Sequence, residues 1–180
     1  MDSYSAHDAL LKEQIYAVYI SIFNLRSSTQ KKCSILTPLL GGYETSWRVV
    51  GITKAALELL AENNYRYIKG AICRAHIVNR YETARQIFEC NSPLDLSTFF
   101  EVVWNNDRTV IATKSENKLN GTLPKVIPID YLKKLFTCNE IVGFKFRKIE
   151  AEFLRDLHLA FKSGELDLTC PYIATKMEKK

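Results

Sequence analysis

Apolar and polar positions divide this chain into short segments of helical and of strand periodicity. From Ala6 to Arg26, apolar residues recur every three or four positions, which predicts an amphipathic helix near the N-terminus. A second helix is predicted after Thr53, a residue type that often caps helices, in KAALELLAEN. Runs of β-branched and aromatic residues predict strands in SWRVVG, YRYIKGAIC, RTVIAT and IVGFKFRK.

Three more helices are predicted, in NRYETARQIFEC, in SPLDLSTFFEVVWNND with a cap at Ser92 or Asp95, and from Glu150 to Phe161. The stretch 27–46, with its Pro, Gly pair and hydroxyl residues, predicts a connection, and KSENKLNGTLPK a polar loop. Strands and helices alternate without a repeat, so the sequence predicts a single α+β domain of short strands and several helices.

The predicted domain spans residues 1–180. It divides into an N-terminal helix with its connecting segment (1–45), an α+β core (46–164) and a polar tail (165–180).

Composition excludes several classes of protein. The hydrophobic share is 47% and the charged share 25%, and no apolar run approaches the ~18 residues of a membrane span. The N-terminus carries acids where a secretory signal is basic, so a cytoplasmic protein is expected. Five cysteines without a CxxC pair argue against a disulfide framework and a zinc site. The net charge of +5 favours polyanionic partners only mildly.

His76 is the best candidate among the three histidines for a catalytic residue. It stands where a strand is predicted to end, a position at which rigid backbone can hold a reactive side chain at a cleft. His7 near the chain start and His158 among helical leucines are interpreted as structural.

Arginines surround His76. Arg74 shares a strand face with it, and Arg80 and Arg85 lead into a predicted helix start, where a phosphate is favoured. The alternative is that the arginines pair with acids on a solvated surface, and the acids nearest in sequence are Glu82, Glu89 and Glu101.

The string TVIATKSENK resembles the strand and helix start that close HNH, or ββα-metal, nuclease motifs. The likeness is confined to residues 109–118. In that family a histidine activates water, a divalent ion binds the scissile phosphate and an asparagine orients the histidine. The resemblance carries over only to Glu116 and Asn117. The aspartate–histidine pair upstream of such strings is missing, and His76 as a base is inferred from its chemistry alone.

Asp107 with Glu116 and Lys118 also gives the D...ExK order of restriction-type nucleases. In such enzymes two carboxylates on adjacent strands hold Mg²⁺ against a phosphate while the lysine polarises water. The ExK segment normally lies in an apolar strand, whereas KSENKLNG is polar, so a solvated loop is the alternative interpretation.

These observations predict a nucleic-acid-cleaving enzyme, a restriction-like or homing-type endonuclease using metal-assisted hydrolysis. The expected catalytic residues are His76, Glu116, Asn117 and Lys118. The expected nucleic-acid contacts are Arg74, Arg80, Arg85 and Lys114, and the expected Mg²⁺ ligands are Asp107 and Glu116.

The expected partner is nucleic acid, with DNA favoured, and no membrane. The sequence leaves open a homodimer and whether the protein is catalytic at all. The alternatives are a non-catalytic nucleic-acid-binding or regulatory protein and a protein-interaction module that uses the first helix.

Overall fold

The computed structural model describes residues 3–41, 47–118, 122–130, 135–136 and 146–171. The helices within these ranges are α1 (Ser3–Phe23), α2 (Thr29–Gly41), α3 (Lys54–Glu62), α4 (Arg80–Phe88), α5 (Leu96–Asn106), α6 (Lys114–Asn117) and α7 (Lys148–Lys162). The strands are β1 (Arg48–Thr53), β2 (Ile72–His76), β3 (Arg108–Thr113) and β4 (Val126–Pro128). The predicted α+β class and the N-terminal helix are confirmed.

A four-stranded mixed sheet in the order β2-β3-β1-β4 lies at the centre. β1 and β3 are parallel, while β2 pairs antiparallel with β3 and β4 antiparallel with β1. Residues of the sheet form an apolar cluster with α3 and α7; its fully buried members include Ile52, Leu57, Leu60, Ile111 and Leu154. The predicted cap is confirmed, since the Thr53 hydroxyl accepts a hydrogen bond from the amide of Ala56 at 3.1 Å.

Close approach of two strands requires a glycine in β1. A Cβ at Gly51 would lie 2.8 Å from Cγ2 of Val126 on β4, a distance shorter than real Cβ contacts. The ladder between β1 and β3 is also irregular between Val49 and Gly51. Gly51 therefore allows β4 to pack against the edge of the parallel pair.

A second core forms among α1, α2, α4 and α5, with Tyr19 at its centre. The Tyr19 ring stacks on Phe99 at 4.3 Å, its hydroxyl donates to the Ile87 carbonyl at 2.9 Å, and it accepts from the Leu94 amide at 3.0 Å. Satisfying the hydroxyl inside an apolar cluster avoids the cost of an unpaired buried polar group. Tyr19 thus ties α1 to the helices that connect β2 and β3.

On the outer side of α1, Leu10 and Val18 are exposed, so its apolar residues are not confined to the buried face. No helix in the described part of the chain combines the length and the apolar character that crossing a membrane requires.

The structure corrects the prediction of a connection over 27–46, because residues 29–41 form α2. The helix tolerates Pro38 in its interior, where Pro removes a hydrogen bond, because it packs on the second core through the buried Leu36. Tertiary packing here overrides the local propensity on which the prediction rested.

Two other boundaries differ from the prediction. The strand predicted in YRYIKGAIC begins only at Ile72. Tyr65, near the start of that stretch, adopts a left-handed backbone conformation with φ of +57°, which a strand does not allow. The predicted polar loop KSENKLNGTLPK begins instead with a single helical turn, α6, capped by Thr113, while residues 122–125 have no regular structure, as predicted. The cap of α5 is Asp95, one of the two predicted residues.

Some predictions fall outside the described residues. They concern residues 141–145 of the IVGFKFRK strand, residues 42–46 of the connection, residues 119–121 of the polar loop and residues 172–180 of the tail.

A buried carboxylate organises the start of α7. Glu150 is 1% exposed, and its two oxygens accept from the amides of Phe136 and Arg147, each at 2.7 Å. The Arg147 guanidinium also donates to it, with Nε at 3.0 Å. Charge-assisted hydrogen bonds offset the cost of burying the charge and hold Phe136 in the core.

Removing this carboxylate is expected to destabilise the protein strongly. Glu150→Ala leaves two backbone amides without their acceptor, which corresponds to a loss of about 2–4 kcal/mol in the free energy of unfolding. Glu152→Ala, on the same helix, is the matched control. Its carboxylate pairs with Lys148 at 3.7 Å in solvent, and its removal should cost less than about 1 kcal/mol. Urea denaturation measures both, and equal losses would contradict this role of Glu150.

Candidate functional site

Strand β2 carries the residues singled out around His76. It ends at His76, as predicted, and its register with β3 places His76 opposite Thr109 and Ile72 opposite Thr113. Arg74 and His76 share one face of the strand because side chains alternate. Chain topology brings α6, which follows β3, to the end of β2 at which Ile72 lies.

A cleft of about 370 Å³ runs past these elements. It brings together five of the predicted site residues: Arg74, His76, Arg80, Glu116 and Asn117. The other residues that line it are Ile77, Asn79, Thr122 and Leu123. Residues distant in sequence therefore share one surface.

The His76 imidazole lies in a polar corner of this cleft. Its Nε2 lies 3.5 Å from Oδ1 of Asp107 and accepts a hydrogen bond from Nε of Arg80 at 3.3 Å. The His76 side chain is 14% exposed. A carboxylate and a guanidinium thus meet at one nitrogen of the ring.

Arg80 is the first residue of α4 and is half-buried. Its guanidinium lies 3.9 Å from the centre of the Trp47 ring, a cation–π contact. Burial lowers the pKa of the Arg80 guanidinium, and the negative charge of Asp107 opposes that shift. Arginine is not deprotonated in proteins even when it is partly buried, so Arg80 gives the cleft a permanent cation.

Arg74 is held by backbone carbonyls. Its Nη1 donates to the carbonyl oxygen of Trp47 at 3.2 Å and its Nη2 to that of Phe136. Both bonds orient the guanidinium at the cleft.

Arg85 lies outside the cleft. Its Nη1 is 3.3 Å from Glu82 and its Nε is 3.1 Å from Glu89, and all three side chains are about half exposed. The pairing raises the pKa of Arg85, chiefly through the hydrogen bond to Glu89. For Arg85 the geometry matches the alternative of surface ion pairs with neighbouring acids.

Glu116 lines the cleft while holding two strand ends together. Its Oε2 accepts from the Thr53 hydroxyl at 2.8 Å and from the amide and hydroxyl of Thr113, each at 2.9 Å. The Thr113 hydroxyl in turn caps α6 by accepting from the amide of Glu116 at 3.2 Å. This is a capping box that also reaches the neighbouring parallel strand.

Asp107 and Glu116 do not fit a shared Mg²⁺ site. They stand at opposite ends of the same strand, β3, rather than on adjacent strands. The six residues of that strand span about 20 Å. Because Mg²⁺ binds its oxygen ligands at about 2.0–2.1 Å, a single ion cannot contact both carboxylates. Among the described residues, no three His, Cys, Asp or Glu side chains converge as metal ligands.

The two predicted lysines lie at the surface of α6. Lys114 begins the helix, and its amide donates to the Ala71 carbonyl at 2.8 Å; Lys118 follows the last turn. Both are exposed and neither lines the cleft. Burial raises the pKa of the nearby Cys73 thiol, with Lys114 opposing the shift, in keeping with an unreactive cysteine.

His158 has a structural environment, as interpreted from the sequence. It is buried in α7, and its Nδ1 lies 2.9 Å from the Tyr65 hydroxyl. Burial lowers the pKa of His158, and the charge of Lys162 adds to the effect. His7 lies within α1.

Trp47 and Asn79 are site residues that the sequence analysis missed. Asn79 precedes the helical pattern of α4 and accepts from the Tyr81 amide at 2.8 Å, so the ordinary N-cap rule identifies it. Trp47 gives no comparable signal, because its partners are distant in sequence.

Comparisons with protein-family models, with curated proteins and with solved structures give no match to this chain.

Protonation of His158 is expected to destabilise the fold. Because the folded pKa lies below the ordinary value of 6.5, the unfolded state binds more protons as the pH falls below that value. The free energy of unfolding should therefore decrease from about pH 6.5 downward, through the folded pKa. His158→Gln, which cannot titrate in this range, should flatten that part of the profile. Chemical denaturation from pH 8 to pH 5 measures it, and parallel profiles would exclude His158 as the cause.

Proposed function

We propose that this protein binds nucleic acid in the cleft between β2, the start of α4 and α6. The observation that carries the proposal is the convergence of Arg74, His76 and Arg80 with Asn117 on that cleft. Guanidinium groups suit phosphate oxygens because their donors form a planar fork, and an amide can reach a sugar or a base edge.

Cleft length favours a polymer over a single small phosphate. The cleft is lined both by the start of α4, which follows the His76 end of β2, and by α6, which lies at the Ile72 end, and between these ends the strand advances about 13 Å. Successive phosphates along one strand of a duplex rise about 3.4 Å. A nucleic-acid strand along β2 therefore presents more than one phosphate to the cleft. The half-buried position of Arg80 adds to this, since a phosphate contact in partly dry surroundings is weakly screened.

The N-terminus of α4 adds a second attraction for anions. Asn79 caps this nine-residue helix, and both Asn79 and Arg80 line the cleft. Backbone amides of a first helical turn carry partial positive charge, which complements a phosphate. The side-chain charge and the helix end thus act at the same place.

Arg80→Ala is expected to weaken binding of a labelled 20-nucleotide DNA or RNA by about tenfold and to lower the slope of log K against log salt by about one. Arg85→Ala, on the same helix, is the matched control. It removes the same charge outside the cleft and should leave that slope unchanged. Fluorescence anisotropy at several salt concentrations measures both variants. No binding by the wild type, or equal effects of the two substitutions, would overturn the proposal.

Cleavage of the bound strand is a second candidate function. The observation that favours it is the 3.5 Å approach of the Asp107 carboxylate to Nε2 of His76, whose side chain lines the same cleft. A carboxylate that orients an imidazole is a common arrangement for a general base. With the ring proton on Nε2 facing Asp107, Nδ1 of His76 would accept a proton from an attacking water. The Arg80 guanidinium would turn its donors from Nε2 to the phosphate and stabilise the charge that develops there.

Incubation with supercoiled plasmid and MgCl₂ or MnCl₂ tests cleavage. If His76 is the base, His76→Ala should cut more slowly by about 10²–10⁴-fold while it still binds the plasmid. Circular dichroism checks that the variant folds. Wild type that binds without cutting would leave the binding function and exclude cleavage.

A further inference from the structure

Trp47 does not line the cleft, yet it contacts all three of its basic side chains. The residue stands directly before β1, across the sheet from β2. Its ring centre lies 3.9 Å from the Arg80 guanidinium and 4.8 Å from the His76 ring, which it meets edge-on at 75°. Its carbonyl oxygen accepts from Nη1 of Arg74 at 3.2 Å.

The structure fixes Trp47 from both sides of its backbone. Its amide donates to Oδ2 of Asp107 at 2.7 Å, and its carbonyl oxygen also accepts from the Thr109 hydroxyl at 3.1 Å. Asp107 and Thr109 bracket the start of β3, so these bonds join Trp47 to the centre of the sheet. They hold it in a left-handed backbone conformation with φ of +58°.

A bulky residue in that conformation costs free energy, and surrounding contacts must impose it. Placing the ring between the sheet and Arg80 is the result. Residue types that adopt a positive φ more readily, such as Gly or Asn, have no aromatic face to present to the guanidinium.

We propose that Trp47 is a positioning residue that holds Arg74, His76 and Arg80 in the geometry that receives phosphates. The inference rests on the proposed binding function. Trp47 acts through the three side chains without touching the ligand. Without the ring, the Arg80 guanidinium is no longer held at the cleft and makes less contact with a bound phosphate. Fewer counterions are then released when a strand binds.

Trp104 provides the matched control, because it makes the same kind of contact elsewhere. Arg48 lies over its ring at 3.6 Å, and the Trp104 carbonyl accepts from that guanidinium. Neither residue lines the cleft. If the Trp47–Arg80 pair only stabilised the fold, substituting Trp47 would affect binding no more than substituting Trp104.

The test measures binding of a labelled 20-nucleotide strand against salt concentration. Trp47→Ala should bind about tenfold more weakly, with a smaller salt slope, because Arg80 must then be ordered at the moment of binding. Trp47→Phe keeps an aromatic face and should restore most of the affinity and the slope. Trp104→Ala, the same truncation at the control pair, should change neither. Affinities are compared per folded molecule, with the folded fraction taken from circular dichroism.

A second measurement applies if Trp47→Ala fails to fold. In Trp104→Phe the only tryptophan is Trp47, whose emission should change when the strand binds, because its partners Arg80 and His76 take up the phosphate. In Trp47→Phe the emission of Trp104 should stay constant.

The outcomes separate the two proposals. If the wild type does not bind, the proposed function fails and this inference fails with it. If the wild type binds but Trp47→Ala keeps its affinity and slope, or Trp47 emission stays constant in Trp104→Phe, only the positioning role is overturned.

Discussion

The carboxylate of Glu116 joins the ends of the two parallel strands on which the sheet is built. It accepts from the hydroxyl of Thr53 at the end of β1 and from the amide and hydroxyl of Thr113 at the end of β3. Both threonines cap the helix that follows them. This one side chain therefore links the two strand ends and stabilises the start of α6, and α6 brings Asn117 to the cleft.

Asp107 has the corresponding role at the opposite end of β3. One of its oxygens accepts from the Trp47 amide and the other lies beside His76. The two acids that the sequence suggests as a metal pair thus organise the two ends of a buried strand. The cleft follows β2 between these ends, so its opposite walls are fixed by the same element, β3.

Local signals predict much of this arrangement, and long-range contacts explain what they miss. The β-branched run RTVIAT predicts β3 at its observed bounds, and His76 does end a strand. Helix α2 was missed because Pro38 dominates its local pattern while packing on a distant core decides the outcome. Trp47 was missed because its partners lie at least 27 positions away, and no periodicity in the sequence connects them.

Fixing the basic side chains before a ligand arrives has an energetic consequence. Immobilising a long side chain on binding costs about 0.5–1.5 kcal/mol, and folding has already ordered Arg74 and Arg80 against Trp47. Folding has also partly stripped Arg80 of water, as its lowered pKa reflects. On the proposed function, a phosphate that enters the cleft would meet cations that are already ordered and, at Arg80, partly desolvated, so its affinity would depend on the frame that β3 provides.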